Sequence, residues 1–388
     1  MKYRKKLNIV MVCDPITDYI AGSYLSAQSF SEILKKRGHK IIFIAARSPA
    51  NPKDNYWKGI KVYRFASIPL PKSEHKVYIG FPTVQRLKKI LKDEKIDIVH
   101  AIIPTPLSVM AIKAAKSVGL KVVTHSHTQA ENVLLYWPKF LFRDSLNWLF
   151  YKYLAWFYEQ SDFLIHPSEF SKIFFSTLDT KTKNVVISNG VNIEKFKKTD
   201  ADKPQKKTKN ILFVGRLYPE KCVDTLIEAM PLILKKEPNA HLNIVGGGNL
   251  EEQLKNLSKK LGMEKHITFA GRVNEKDLVG AYNAADVFVM PSISELEGMA
   301  VLEAMACGKP IVIADAKESA SKDFVSGNGL LFKPQNPKDL AHKVEKILAN
   351  DGMRHRMGEE SLRISKNFDI QKSVTKLEKT YYSLMKIK

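Results

Sequence analysis

In the segment SISELEGMAVLEAMACGKPIVIAD, residues 292–315, the carboxylates Glu295 and Glu303 stand with seven residues between them and Gly298 in the gap. Carboxylates accept hydrogen bonds, so a pair held over one crevice can grip the hydroxyls of a sugar or a ribose. The small-residue run after Gly298 predicts a helix. The amides of Gly298, Met299 and Ala300 at its start would favour an anion. A second segment, ILFVGRLYPEKCVDTLIEAM (211–230), puts Arg216 and Lys221 between a strand and a helix. Two cations at a strand's carboxyl end can hold a diphosphate and neutralise charge on a departing phosphate. The plainer alternatives are a solvated helix start for the acids and exposed basic side chains for the cations.

Three further segments carry weaker signals. IVGGGNLEEQL (244–254) places Gly246 and Gly247 at a strand–helix junction, where small residues let backbone amides approach a phosphate, or simply make a tight turn. It lacks the GxGxxG spacing, which disfavours a nicotinamide dehydrogenase. Gly22, in DPITDYIAGSYLSAQSF (14–30), is a second candidate for close phosphate approach. His125 and His127, in VVTHSHTQAEN (122–132), end a strand. They share a face if the strand continues. No third ligand is spaced for a metal, so no metal site is expected, and one of the two is the better candidate for a site residue. Residues 136–158 hold 11 aromatics, among them Trp137, Trp148 and Trp156, punctuated by Lys139, Arg143 and Lys152. That mixture suits a membrane interface or lipid-acceptor surface, and equally a core helix of the first domain.

The elements that must position these residues read as alternating strands and helices. Near-continuous apolar runs at 7–13, 40–46, 96–103, 120–125 and 162–166, then at 210–215, 241–246, 266–271, 286–290 and 310–314, predict strands. Helical patterns at 22–37, 106–118, 145–160, 222–236, 249–262, 298–308, 336–349 and 370–386 separate or follow them. Parallel sheets covered on both faces are implied, and the pattern occurs twice, giving two doubly wound α/β domains facing a central cleft. The boundary falls at 192/193, with 1–192 and 193–369 as the domains and 370–388 packing back on the first. The polar stretch 194–209 has linker composition.

The 388 residues carry 62 Lys+Arg against 40 Asp+Glu, a net charge of +22. Residues 1–200 hold 32 of these cations and 16 of the acids, so the first half is a basic body that attracts phosphates or anionic lipid. Three scattered cysteines suggest neither a disulfide frame nor a zinc set and fit a reducing cytoplasm. The apolar run after the basic start is short and meets Asp14, so it reads as a strand and not a signal peptide. No run is long enough to span a bilayer.

GRLYPEKCVDTLIEA (215–229), IVGGGNLEEQL, VMPSISELEGMAVLEAMACGKPIVIA (289–314) and NGLLF (328–332) follow in order, and SNGVNIEKF (188–196) precedes them. Together they resemble the retaining glycosyltransferases of family 4, which have the GT-B fold. The resemblance covers nearly the whole chain and is weaker in the first domain. It implies that Arg216 and Lys221 bind the donor diphosphate, Glu303 the donor ribose and Glu295 the transferred sugar. Gly298, Met299 and Ala300 would offer amides to sugar and phosphates, and Val273 would lie beside the base. Gly22 would approach the diphosphate from the other domain, with His127 near the transferred sugar. Glu297 stands where the family often has an aromatic, and the common Gly-Gly before NGLLF is missing, which bears on donor-sugar identity.

The implied reaction moves a hexose from a nucleoside-diphosphate sugar, such as UDP-glucose, to an acceptor hydroxyl with retention. It would use no metal and no cofactor beyond that co-substrate. The expected acceptor is a membrane lipid such as diacylglycerol, with the protein peripheral on the cytoplasmic face of an anionic membrane. A polyprenyl-linked or polysaccharide acceptor is the alternative. A nucleic-acid-binding protein is a rival that the net charge suggests, but nucleic acid is not expected as a partner because no nucleic-acid motif is present. A catalytically silent homologue is a second rival, disfavoured by the intact cation and carboxylate set.

Overall fold

The computed structural model describes residues 5–16, 22–69, 77–129, 143–178, 180–199 and 208–386. The chain divides into two compact units, residues 1–189 with 371–388, and residues 190–370.

In the second unit, six strands form one wholly parallel sheet. Their order is Ile267–Gly271, Ala240–Val245, Lys209–Val214, Val287–Met290, Ile311–Ala314 and Gly329–Phe332. The chain builds outward from Lys209–Val214 on one side and then crosses to Val287–Met290 on the other. The carboxyl ends of those two strands therefore flank the switch point, where open α/β sheets hold ligands. Strands buried on both faces read as unbroken apolar runs, as VFVM and IVIA do here. The core gathers Phe213, Leu226, Met230, Phe288, Leu302, Val312 and Leu340. Residues 190–199 pack on this unit and are not a free linker: Phe196 is buried edge-on against Tyr282, and Asn283 bonds Lys197 O and Thr199 N. One phenylalanine outweighs the polar composition around it.

In the first unit eight of the described strands form one sheet, in the order Asn184–Val186, Phe163–His166, Lys121–His125, Ile98–Ala101, Asn8–Val12, Lys40–Ala46, Ile60–Phe65 and Asn55–Trp57. Only the last runs antiparallel to its neighbour. The switch point lies between Asn8–Val12 and Ile98–Ala101. Asp14, two residues past the first of these, is fully buried and accepts from Gly80 N and Thr105 Oγ1. Burial raises its carboxyl to about 6. Thr105 also caps the helix Pro106–Ser117, whose proline at the first turn needs no hydrogen bond there. The terminal helix Ile370–Leu384 joins this unit. Arg37 bonds Thr375 and Gln371 and pairs with Glu378, while His39 Nε2 lies 2.9 Å from Glu378 Oε1.

Candidate functional site

The cations and acids named from the sequence gather at the switch point of the second unit. The strand Lys209–Val214 runs into Gly215, Arg216 and a 3₁₀ turn, Pro219–Lys221. Cys222 then takes a left-handed backbone, φ 48°, which turns the chain into the helix Val223–Lys236. A non-glycine residue in that region holds strain, here at the corner that aims Lys221. Arg216 lies with its guanidinium 4.8 Å over the Tyr218 ring and donates to Glu220 Oε1 at 3.0 Å. Glu220 is almost wholly buried.

The adjacent strand Val287–Met290 delivers the second wall. Ser292 Oγ and Ile293 N both donate to Glu220 O, at 3.0 and 2.9 Å, which fastens the two strand-end loops together. Ser294–Glu295 then pairs in parallel with Glu318–Ser319, a two-residue mini-sheet that fixes the Glu295 backbone. Lys221 Nζ donates to Glu295 Oε1 in an ion pair whose side chains are only 12% and 14% exposed. The pair joins the two groups expected to hold phosphate and sugar.

Gly298 caps the helix Met299–Ala306 with φ 96°, and a Cβ there would stand 2.2 Å from Ser321 Oγ. The close approach of Ser321 and the left-handed backbone both require glycine. The amides of Met299 and Ala300 head this helix, where helix geometry supplies no acceptor. Glu303 follows on the same helix and accepts from Tyr282 Oη at 2.7 Å. Burial raises its carboxyl to about 7, against the lowering effect of the Tyr282 hydrogen bond. The arrangement combines anion-binding donors with two carboxylates suited to hydroxyls. Glu297 is buried, and its carbonyl accepts from Ser321 Oγ.

The glycine run serves packing as well as access. A Cβ on Gly246 would sit 1.9 Å from Gly215 O, and one on Gly248 2.4 Å from Leu217 O. Both glycines are needed for the 246–248 loop to lie against the Arg216 loop. Gly247 alone has room, with nothing nearer than 3.5 Å. Val273 is half-buried against the core of this unit.

Gly22 and His127 belong to the first unit. Gly22 is exposed at the start of the helix Gly22–Lys36. His127 stacks on His125, ring centroids 4.1 Å apart. Burial holds the His127 imidazole down at about 3 and His125 well below its usual range. Among the described residues no group of three or more His, Cys, Asp or Glu side chains is placed to hold a metal ion. Trp137 and Lys139 lie outside the described residues, as does the side chain of Arg143. The helix Arg143–Glu159 has two distinct faces. Leu154, Phe157 and Tyr158 enter the core, while Trp148 (62% exposed), Leu149 and Trp156 face outward, with Lys152 Nζ 5.6 Å over the Trp148 ring. Among the described residues no helix is long and apolar enough to cross a membrane.

Tyr282, Glu220, Ser292 and the Glu318–Ser319 strand were not read from the sequence. Glu220 stood four residues after Arg216, a spacing that could have drawn notice; the others act across long sequence separations and leave no local pattern.

The profile described as Glycosyltransferase Family 4 matches residues 22–195, and that described as Glycosyl transferases group 1 matches residues 194–363. A glycosyltransferase of Methanocaldococcus jannaschii is 30% identical over 302 residues, 76% of this chain and 78% of its own. Another from the same organism is 37% identical over 190 residues, so this chain spans about half of it, 48%. The alpha-monoglucosyldiacylglycerol synthase of Streptococcus pneumoniae is 26% identical, over 79% of this chain and 70% of its own. Among solved structures, Anabaena HepE in complex with UDP and glucose superposes with a TM-score of 0.76 at 20% identity, covering 97% of this chain and 100% of that one. Its fold, like that of the other structural neighbours, is GT-B, two Rossmann-like domains. The chain therefore belongs to glycosyltransferase family 4 and is a glycosyltransferase with the GT-B fold.

Proposed function

We propose that the chain is a retaining hexosyltransferase that moves glucose from UDP-glucose to a membrane lipid hydroxyl of the diacylglycerol kind. In this reading the 190–370 unit binds the donor and the 1–189 unit the acceptor. The observation that carries it is the Lys221–Glu295 pair, set between two strand ends beside the Gly298 helix start. Without a ligand these two charges neutralise each other. A diphosphate would take Lys221 and free Glu295 to accept from hydroxyls of the transferred sugar.

Arg216, released from Glu220 or sharing it, would meet the same diphosphate. As the glycosidic bond breaks, positive charge grows at the anomeric carbon and negative charge on the leaving phosphate. Arg216, Lys221 and the Met299 and Ala300 amides act on the phosphate side, where preorganised donors lower the barrier most. These cations take the place a metal would fill, so the reaction is metal-independent in this account. The site offers carboxylate acceptors and no protein nucleophile in a defined role, so the departing phosphate oxygen takes the acceptor proton and attack comes on the same face, with retention. Glu303 would bind the ribose, Val273 would lie beside the base, and Gly22 and His127 would serve the diphosphate and the transferred sugar from the first unit.

The lipid acceptor is supported by the outward face of Trp148, Leu149, Lys152 and Trp156, by the net charge of +22, and by the diacylglycerol named in the Streptococcus pneumoniae relative. Aromatic and cationic side chains together suit an anionic lipid–water boundary. A peripheral position at a membrane surface follows. A donor panel of UDP-, GDP- and ADP-sugars, offered with diacylglycerol in anionic vesicles and with EDTA present, tests the reading. Turnover confined to water-soluble acceptors, or abolished by EDTA, would reject the lipid or the metal-free part respectively.

A further inference from the structure

A column of four side chains, three of them buried and the fourth, His127, partly buried, runs through the first unit from its last helix. Tyr381, on Ile370–Leu384, is fully buried, and its hydroxyl lies 2.7 Å from His100 Nδ1. His100, on the strand Ile98–Ala101, is also fully buried and stacks on His125 of the neighbouring strand, centroids 5.6 Å apart and planes 15° apart. His125 stacks in turn on His127 at 4.1 Å. The Phe30 ring also lies near-parallel to His125, centroids 6.4 Å and planes 18° apart. The Nε2 atoms of His100, His125 and His127 are buried without a hydrogen-bond partner among the described residues.

A buried imidazole with one ring nitrogen unsatisfied is costly unless it has a role. Three of them in one stack are more than packing requires, since phenylalanine or leucine would fill the same volume without that cost. Burial also holds all three rings uncharged at neutral pH, so the stack is free of the repulsion that imidazolium ions would bring.

We infer that Tyr381, His100 and His125 are positioning residues for His127: the hydrogen bond from the last helix fixes the His100 ring, and the stack passes that orientation to His127. The inference rests on the proposed glycosyl transfer, in which His127 meets the sugar. It adds that the C-terminal helix sets the geometry of that contact. The helix is itself clasped by Arg37 and His39, both through Glu378.

The test uses the full chain with ¹⁵N-labelled histidine, so that the His127 ring nitrogens report their own environment. Tyr381→Phe removes one hydroxyl and keeps the ring. It should shift the His127 resonances, leave thermal unfolding within a few degrees of the parent, and lower kcat about fivefold at unchanged donor KM, as loss of one hydrogen bond allows. His125→Leu should lower kcat about tenfold, and His125→Phe, which restores a flat ring, should recover most of it. Unmoved His127 resonances in Tyr381→Phe overturn the inference whatever the turnover. Resonances that move in a protein that transfers no sugar leave the column standing and reject the glycosyl-transfer reading instead.

Discussion

Lys221 and Glu295 form an ion pair between the carboxyl ends of two adjacent parallel strands, Lys209–Val214 and Val287–Met290, with both side chains largely buried. Partly desolvated pairs are strongly coupled, so removing one partner strands the other. Lys221→Ala should therefore cut turnover roughly a hundredfold to a thousandfold, the usual cost of one preorganised donor to a developing anion. Initial rates with UDP-glucose check this, and circular dichroism checks that the fold survives. Glu295→Gln should leave UDP binding intact while lowering turnover, because UDP lacks the sugar that Glu295 is proposed to hold.

Glu303 gives the proposed donor site a pH dependence near neutrality. Its carboxyl is raised to about 7 in the folded protein by burial, above its ordinary 4.5. The folded state therefore favours the protonated form. This stabilising effect is fully present below pH 4.5 and is lost as pH rises through 7. Glu303→Gln should accordingly gain thermal stability over the parent at pH 8 and lose that advantage at pH 5. UDP affinity should strengthen from pH 6 to pH 8 as the carboxylate forms, and calorimetry should find that dependence absent in Glu303→Gln. Tyr282→Phe removes the hydrogen bond that lowers this carboxyl, so it should move the midpoint upward.

The three glycines of 246–248 separate packing from access. Gly246→Ala puts a methyl 1.9 Å from a backbone oxygen that has no side chain to move aside, at φ 131°. It should lower the unfolding temperature markedly, by more than the ~1–3 kcal/mol of left-handed strain alone. Gly247→Ala should leave the unfolding temperature near the parental value, and any loss of UDP affinity in that variant reports the ligand face directly.

The outward face of Arg143–Glu159 can be altered without touching the core. Trp148→Ala, Lys152→Ala and Trp156→Ala together should weaken co-sedimentation with anionic vesicles and leave the melting curve unchanged, because all three are exposed. The residual binding should fall further with salt. Unchanged sedimentation would restrict this helix to a structural role.

Much of this architecture was legible because its strands are covered on both faces. Runs such as KIIFIAA and NILFV carry no polar interruption, and Arg216, Lys221, Glu295 and Glu303 sit at the junctions those runs define. What escaped is instructive. The strand Ile60–Phe65 carries Lys61 and Arg64, and the latter is fully buried with Nη1 bonded to Ala46 O, so its charge disguised an inner position. Gly246 read as room for a ligand or as a tight turn, yet its immediate neighbour is the Gly215 backbone. Tyr282 reaches Glu303 across 20 intervening residues, and no local pattern marks a contact made only after both helices pack.

The most direct test of the central claim is the anomeric configuration of the product. UDP-glucose, with its α linkage, is incubated with the full chain and diacylglycerol in anionic vesicles, and the proton NMR coupling at the new linkage is read over the first turnovers. The account predicts an α-glucosyl lipid, formed by the parent and nearly lost in Lys221→Ala. A β-linked product, or equal turnover in the two proteins, would contradict it.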